Sequence, residues 1–294
     1  MQDPLVVAVI LTRNQKADTL RCLSSFQSVD YSRLELVLVD NASMDGTHEA
    51  VRNEFPHVHV VYNGTNAGVA GGRNIGIAYA RQHFVYDYLL YIDNDTVVTG
   101  NFLRPLVAAL EANPRVGIAA PKLYIMDKER RLDSAGGSRI NFWTGKTDRR
   151  GTGEVDRGQY DGPDVPACVP TGIALARRRV IELCGGFDPS FNPYGPEDLD
   201  FSLRARAHGF SFQYVPTSII YHKGNKTGFG VYDSEYAALK GRNLRKFVKR
   251  HATTLQWYGF NLLLPLLGLR TACRELIKGN LKAPLQLIRG YLRG

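Results

Sequence analysis

Residues 5–40 read LVVAVILTRNQKADTLRCLSSFQSVDYSRLELVLVD, and the change of period inside them sets the fold. Leu5–Leu11 is a continuous apolar run, the pattern of a strand buried on both faces. Leu20, Leu23 and Phe26 then recur at i, i+3 and i+6, which predicts a helix over about Ala17–Gln27. Leu34–Asp40 is apolar again and predicts a second strand. Strand, helix and strand in this order form a crossover unit of a parallel sheet.

The alternation continues outward. Helices are predicted at Thr47–Phe55, Arg73–Gln82 and about Asn101–Asn113, and strands at His57–Tyr62, Tyr86–Asp93 and Val116–Pro121. The expected class is therefore α/β, a Rossmann-like, mostly parallel central sheet flanked by helices. Ligands of such sheets bind at the carboxyl ends of the strands. Thr12, Asp40, Asn66, Asp93 and Asp95 all fall there. Residues 127–165 change character, with many glycines and charges and little periodicity, and read as a functional loop or an irregular substrate-facing segment. A second helix and strand pattern follows through residues 172–224. There is no internal repeat.

Composition narrows the class. The 294 residues are 44% hydrophobic and 22% charged, which suits a folded chain. Cys22, Cys168, Cys184 and Cys273 lie far apart with no C-x-x-C, which argues against a zinc site or a disulfide framework and fits a reducing compartment. The start, MQDPLVVAVILTRN, has no basic n-region, so no signal peptide is expected. The net charge of +9 is unevenly placed. Residues 240–294 hold twelve Lys/Arg and one acid, Glu275, whereas residues 1–239 hold 25 basic and 27 acidic residues. Such asymmetry points to an anionic partner surface: a membrane, a lipid head group or nucleic acid.

The tail, residues 241–294, reads as basic, amphipathic and helical. Its apolar stretch Leu255–Leu269 is interrupted by Pro265 and Gly268 and falls short of the roughly 20 residues of a spanning helix. With Trp257, Tyr258 and Phe260 and flanking cations it suits a helix lying in a membrane interface. The other reading is a helix packed on the body.

Three stretches bear on chemistry. YIDNDT, Tyr91–Thr96, closes a strand with two acids one residue apart, and reads either as a metal site or as a polar turn. NAGVAGGRNIG, Asn66–Gly76, reads either as a backbone approach to phosphate or as a tight helix start. It follows the third strand, and the first turn, TRNQKAD, lacks glycine, which speaks against a dinucleotide site. No G-K-[ST] closes a P-loop. VDNASMDGT, Val39–Thr47, puts Asp40 at a strand tip, where it can accept from a pyrimidine N3–H or a ribose hydroxyl, and supplies Asn41, Ser43 and Asp45 for a turn that caps the next helix.

Taken in order, VVAVILTRN, VDNASMDGT, NAGVAGGRN, YIDNDT, PTGIALARR, GGFD, YGPEDLDFSLRARAHG and YHKG resemble the family 2 glycosyltransferases, over about residues 5–250. Within that family the chain is most similar to the bacterial rhamnosyltransferase-like branch. The resemblance implies an inverting enzyme of the GT-A fold, metal-dependent, acting in cell-surface polysaccharide synthesis. It implies a GT-A domain over 1–240, with a nucleotide-binding half to about 125 and an acceptor half over 126–240. Thr12 and Asp40 would contact the base, and Asn66 and Arg73 the nucleotide and its phosphates. Asp95 would ligate Mn2+ or Mg2+, with Asp93 reaching ribose or metal water, and His222 would complete the metal shell. Asp198 would be the base, with Glu197 positioning the acceptor or supporting it, although both acids also suit a helix N-terminus. Thr171 and Gly172 would lie beside the donor sugar or the acceptor. Lys223, Lys226 and Arg204 are further candidates for the diphosphate, and Phe142 and Trp143 for stacking on an acceptor sugar.

The expected partners are a UDP- or dTDP-linked sugar and a glycan or lipid-linked glycan acceptor. A peripheral contact with anionic membrane is also expected, at the cytoplasmic inner face of the cell membrane, and no nucleic acid. A nucleotidyltransferase making a nucleotide sugar fits less well, because it needs a basic Gly-rich loop after the first strand. A non-catalytic nucleotide- or nucleic-acid-binding protein is favoured only by the isoelectric point near 9.4. Acids in the cleft would repel nucleic acid.

Overall fold

The computed structural model describes residues 2–162, 168–193, 195–224, 234–277 and 282–293. Two compact units are present, one of residues 1–138 with 149–224 and one of residues 139–148 with 225–294.

The first unit opens with β1 (Val6–Thr12), α1 (Lys16–Phe26), β2 (Leu34–Asn41), α2 (Thr47–Glu54), β3 (His59–Asn63), α3 (Gly68–His83) and β4 (Tyr88–Asp93). It continues with β5 (Thr96–Val98), α4 (Leu103–Ala112), β6 (Val116–Ile125) and β7 (Leu132–Ala135). A hairpin of β8 (Ser138–Asn141) and β9 (Lys146–Arg149) leads, through residues 150–173, to β10 (Ala174–Arg177), α5 (Arg178–Cys184), a 3-10 turn at Pro189–Phe191, α6 (Glu197–Ala207) and β11 (Ser211–His222). The main sheet runs β3-β2-β1-β4-β10-β6-β11-β5, with β7 beside β6. β3, β2, β1 and β4 are parallel neighbours, as the alternation predicts. β10 enters antiparallel between β4 and β6, and β5 antiparallel beside β11. This is the α/β GT-A architecture.

The apolar runs become the core. Val6–Ile10 and Tyr88–Ile92 are buried on both sheet faces, because helices cover each. Each such Val, Leu or Ile contributes about 1.5–3 kcal/mol relative to exposure.

α3 begins at Gly68, five residues before the expected Arg73 start, so the glycine-rich stretch is itself helical. The reason is packing. A Cβ on Gly76 would stand 2.3 Å from Val9 Cγ1, and one on Gly72 would stand 2.4 Å from Leu11 Cδ1. The glycines let α3 lie directly on β1, which is the tight-helix reading of the stretch.

The segment 127–165 is more regular than its composition suggests, since β7, β8 and β9 fall within it. Ion pairs hold it where hydrophobic periodicity does not. Lys122 Nζ is buried between Asp156 Oδ2 at 2.8 Å and Asp161 Oδ2 at 2.7 Å.

The second unit contains α7 (Ser234–His251), α8 (Thr254–Ile277) and α9 (Lys282–Arg293), so the tail is helical as expected. Phe142 stacks on Phe247 with centroids 6.0 Å apart, and the Trp143 ring lies against Gly259. No helix among the described residues is long and apolar enough to cross a membrane.

Candidate active site

The turn after β4 is oriented by the residue between its acids. Asn94 points inward, where its Nδ2 donates to Thr12 Oγ1 at 3.2 Å and to Thr19 Oγ1 at 3.0 Å. Thr96 Oγ1 donates to the Asp93 carbonyl at 2.7 Å and closes the turn. With Asn94 pinned inside, Asp93 and Asp95 emerge on the other side.

His222, the last residue of β11, is registered against Thr96 of β5 and therefore arrives beside Asp95. Its Nε2 lies 3.3 Å from Asp95 Oδ1 and its Nδ1 2.9 Å from Asp133 Oδ2. Arg149 Nη1 lies 3.2 Å and 3.0 Å from the two Asp133 oxygens. Burial alone would lower the pKa of His222, but its contacts with Asp133 and Asp95 outweigh burial and lift it to about 10. Burial raises Asp133, and the His222 and Arg149 contacts override it, holding that carboxyl below its ordinary range. Asp93, Asp95 and His222 each offer one ligand atom, all within 4.8 Å of one another.

Arg73 joins this cluster to the start of α6. The side chain is buried, stacked between Tyr91 and Phe187 at 5.7 Å and 5.2 Å from the ring centroids. Its Nη2 donates to Asp93 Oδ1 at 2.8 Å and to the Gly172 carbonyl at 3.1 Å. Its Nη1 lies 3.8 Å from Glu197 Oε1. Gly172 carries the link onward, since its N–H donates to Asp198 Oδ2 at 2.8 Å. With φ at +62°, this position favours glycine on conformation. Thr171, next to it, is nearly buried.

The two α6 acids differ in environment. Glu197 is buried, accepting from the Gly195 N–H at 2.9 Å. Burial and then the neighbouring Asp198 charge push it up to about 8, against the pull of Arg73. Asp198 is half-buried, and its Oδ1 accepts from the Leu199 N–H at 2.7 Å. Burial raises it too, while Arg73 and the two backbone N–H groups oppose the rise. Burial thus favours the neutral form of Glu197 at neutral pH beside an Asp198 whose ionised form is hydrogen-bonded.

Asp40, fully buried at the tip of β2, accepts from the Ser43 N–H on Oδ1 at 2.7 Å, and its Oδ2 has no partner among the described residues. A buried carboxylate oxygen without a donor is costly unless a ligand supplies one. Asn66 is exposed and its Oδ1 accepts from the Gly68 N–H at 3.0 Å, holding the start of α3. The Thr12 hydroxyl is buried, 2.7 Å from Thr19 Oγ1. Asp45, one residue before Gly46 at the N-cap of α2, accepts from the Thr47 N–H at 3.2 Å.

Two of the diphosphate candidates are engaged elsewhere. Arg204 binds Asp200 at 2.8 Å and the Cys184 and Gly186 carbonyls, and Lys223 pairs with Asp18 at 2.7 Å. Lys226 lies outside the described residues.

The family model of Glycosyl transferase family 2 matches residues 7–183. The chain belongs to that family. This family 2 glycosyltransferase is 27% identical over 253 residues to the N-acetylglucosaminyl-diphospho-decaprenol L-rhamnosyltransferase of Mycobacterium tuberculosis, covering 78% of the chain and 79% of that relative. Among solved structures it is similar to GalNAc-T7 with UDP, GalNAc and Mn2+, at a TM-score of 0.59 and 17% identity, covering 80% of this chain and 48% of that one. It is also similar to a mannosyltransferase of Pyrobaculum calidifontis in complex with GDP-Man and Mn2+, at a TM-score of 0.56 and 16% identity, covering 100% and 87%. These likenesses bear out the GT-A fold, and the family makes the chain an inverting glycosyltransferase.

Sequence reasoning about this family 2 glycosyltransferase missed Asp133 and Arg149. Both sit in the segment without periodicity, and nothing in the spacing of LDSAGG or TDRRG marks them. Asn94 stands between the two acids of YIDNDT, but its anchoring role depends on Thr12 and Thr19, far away in sequence.

Proposed function

We propose that this glycosyltransferase moves a sugar, rhamnose in the first instance, from a UDP- or dTDP-linked donor to a glycan or lipid-linked glycan acceptor. The setting is cell-surface polysaccharide synthesis at the cytoplasmic inner face of the cell membrane, with peripheral contact to anionic lipid. The rhamnosyltransferase relative supports the sugar and the lipid-linked acceptor. The observation that carries the reading is the junction at Gly172. Its N–H holds Asp198, while its carbonyl meets the Arg73 guanidinium that also holds Asp93.

Two carboxylates and an imidazole form an oxygen-rich donor set, and Asp133 fixes the far nitrogen of that imidazole, so these residues fit a divalent ion. Asp95, Asp93 and His222 would hold Mn2+ or Mg2+, with Asp95 the direct carboxylate ligand and Asp93 shared with the ribose. When bound, such an ion neutralises the charge developing on the leaving nucleoside diphosphate.

The chain's own groups account for the rest. Asp40 Oδ2 lacks a donor, and a pyrimidine N3–H supplies one, common to uracil and thymine. Thr12 borders the base, and Asn66 and Arg73 the nucleotide. Thr171 and Gly172 flank the sugar. Asp198 accepts the acceptor hydroxyl proton as that oxygen bonds to the anomeric carbon from the face opposite the departing diphosphate. The bond from the anomeric carbon to the diphosphate oxygen breaks with its electron pair, which inverts the centre. Glu197, kept neutral by burial, supports the base without competing for the proton.

The test is a thermal-shift screen of nucleoside diphosphates and nucleotide sugars with Mn2+, followed by transfer assays on the best donor. Uridine or thymidine diphosphate should stabilise the protein, and Asp40→Asn should remove that preference. Equal or better stabilisation by purine nucleotides would overturn the base assignment.

A further inference from the structure

α8 presents a continuous apolar face that no described residue covers. Leu255, Tyr258, Leu262, Leu266, Leu269 and Ile277 are each between 62% and 88% exposed. They follow one another at spacings of three, four, four and three residues, and exposed Cys273 fills the gap before Ile277. At 3.6 residues per turn these positions share an arc of about 100°, and at 1.5 Å per residue the stripe runs about 33 Å. The opposite side of the same helix is inside: Phe260 is fully buried, stacked on Trp257 at 6.0 Å.

α9 repeats the arrangement on a smaller scale. Leu287 is buried with Ala237 and Tyr291, while Leu285, Ile288 and Leu292 are exposed on another face. Single exposed leucines are ordinary, but rows of them on two helices of one unit are not.

Charge selects the occupant. Arg270 on α8 and Lys282, Arg289 and Arg293 on α9 are exposed, as is Lys249 on α7, and residues 240–294 carry twelve Lys/Arg against one acid. A second copy of the chain would bring a balance of +11 against +11, so self-association across this face works against like charge. An anionic bilayer offers acyl chains to the leucines and head groups to the cations together.

We propose that the exposed faces of α8 and α9 are a membrane-docking surface, with α8 lying in the plane of the bilayer at the boundary of head groups and acyl chains. Leu262 and Leu266 stand at the centre of the stripe and are its anchors. This deepens the peripheral contact in the proposed function and needs neither the donor nor the metal assignment.

The experiment uses the full chain with phosphatidylglycerol vesicles and, separately, phosphatidylcholine vesicles. Flotation measures binding. A polarity-sensitive fluorophore on Cys273, in a Cys184→Ser background, reports burial of the face. The chain should float with phosphatidylglycerol vesicles and shift its emission to the blue, and should bind phosphatidylcholine far less. Leu262→Glu with Leu266→Glu should reduce binding roughly tenfold or more, with the circular-dichroism melting profile retained. Turnover of a soluble nucleotide sugar, measured in parallel without vesicles, tests the catalytic reading separately. The docking proposal is overturned if the double variant floats as well as the parent, or if the parent ignores anionic vesicles. A concentration-dependent dimer that the double variant abolishes would overturn it in favour of self-association.

Discussion

Asp133 Oδ2 stands 2.9 Å from His222 Nδ1, and this contact leaves the other ring nitrogen, Nε2, facing Asp95. A carboxylate behind a histidine fixes the ring and its tautomer. Asp133→Asn should therefore weaken Mn2+ binding by about 10–100-fold, measured by calorimetry or by the free-ion electron paramagnetic resonance signal, with the fold retained. Unchanged Mn2+ affinity would show that His222 needs no such support.

Asp198→Asn removes the proton acceptor with little change of shape, leaving one oxygen to accept from either the Gly172 or the Leu199 N–H group. Transfer should fall on the order of 10²–10⁴-fold, with nucleotide affinity preserved in a binding assay. A fully active variant removes Asp198 from the role of base.

Arg73 is a buried cation shared by Asp93 and Glu197. Arg73→Met leaves the part-buried Asp93 carboxylate without its cation and removes the donor beside Glu197, and breaking a pair in this way costs up to about 3–5 kcal/mol. Urea unfolding should show a loss of that order. Arg73→Lys should recover only part, because an ammonium cannot reproduce the planar fork that reaches Asp93 and the Gly172 carbonyl together.

Glu197 sets a pH dependence of stability. Its carboxyl is pushed up to about 8 in the folded chain, from an ordinary value near 4.5. Between these values the folded state holds a proton that the unfolded state has lost. Stability from this group is thus present in full below the lower value and declines as pH rises toward the upper one. Glu197→Gln should flatten that decline, so that the gap between the variant's stability and the parent's grows in the variant's favour from pH 5 to pH 8. Parallel pH profiles for the two proteins would contradict the assignment.

Gly76 lies directly on Val9. Gly76→Ala places a methyl where that side chain already stands, and overpacking of this kind costs about 1–3 kcal/mol. The melting temperature should fall with no change in metal affinity, since Gly76 contacts none of the candidate ligands.

The sequence by itself determined the architecture of the first half of the chain. Apolar runs such as Leu5–Leu11 and a helical repeat such as Leu20, Leu23 and Phe26 are local signals, and each survives because the sheet buries it on both faces. Asp93, Asp95, Asp40 and Asp198 were legible for the same reason: they sit at the ends of elements whose pattern is readable, in an order a family shares. The start of α3 was not, because glycines that look like a loop serve close contact with β1, a fact about Val9 and Leu11 rather than about the stretch itself. Only the tertiary structure decided that β11 delivers His222 to Asp95, that Asp133 and Arg149 stand behind it, and that Arg73 and Gly172 tie Asp93 to Asp198. Those contacts join residues tens of positions apart through strand register and buried charge, and neither leaves a periodic trace in the chain.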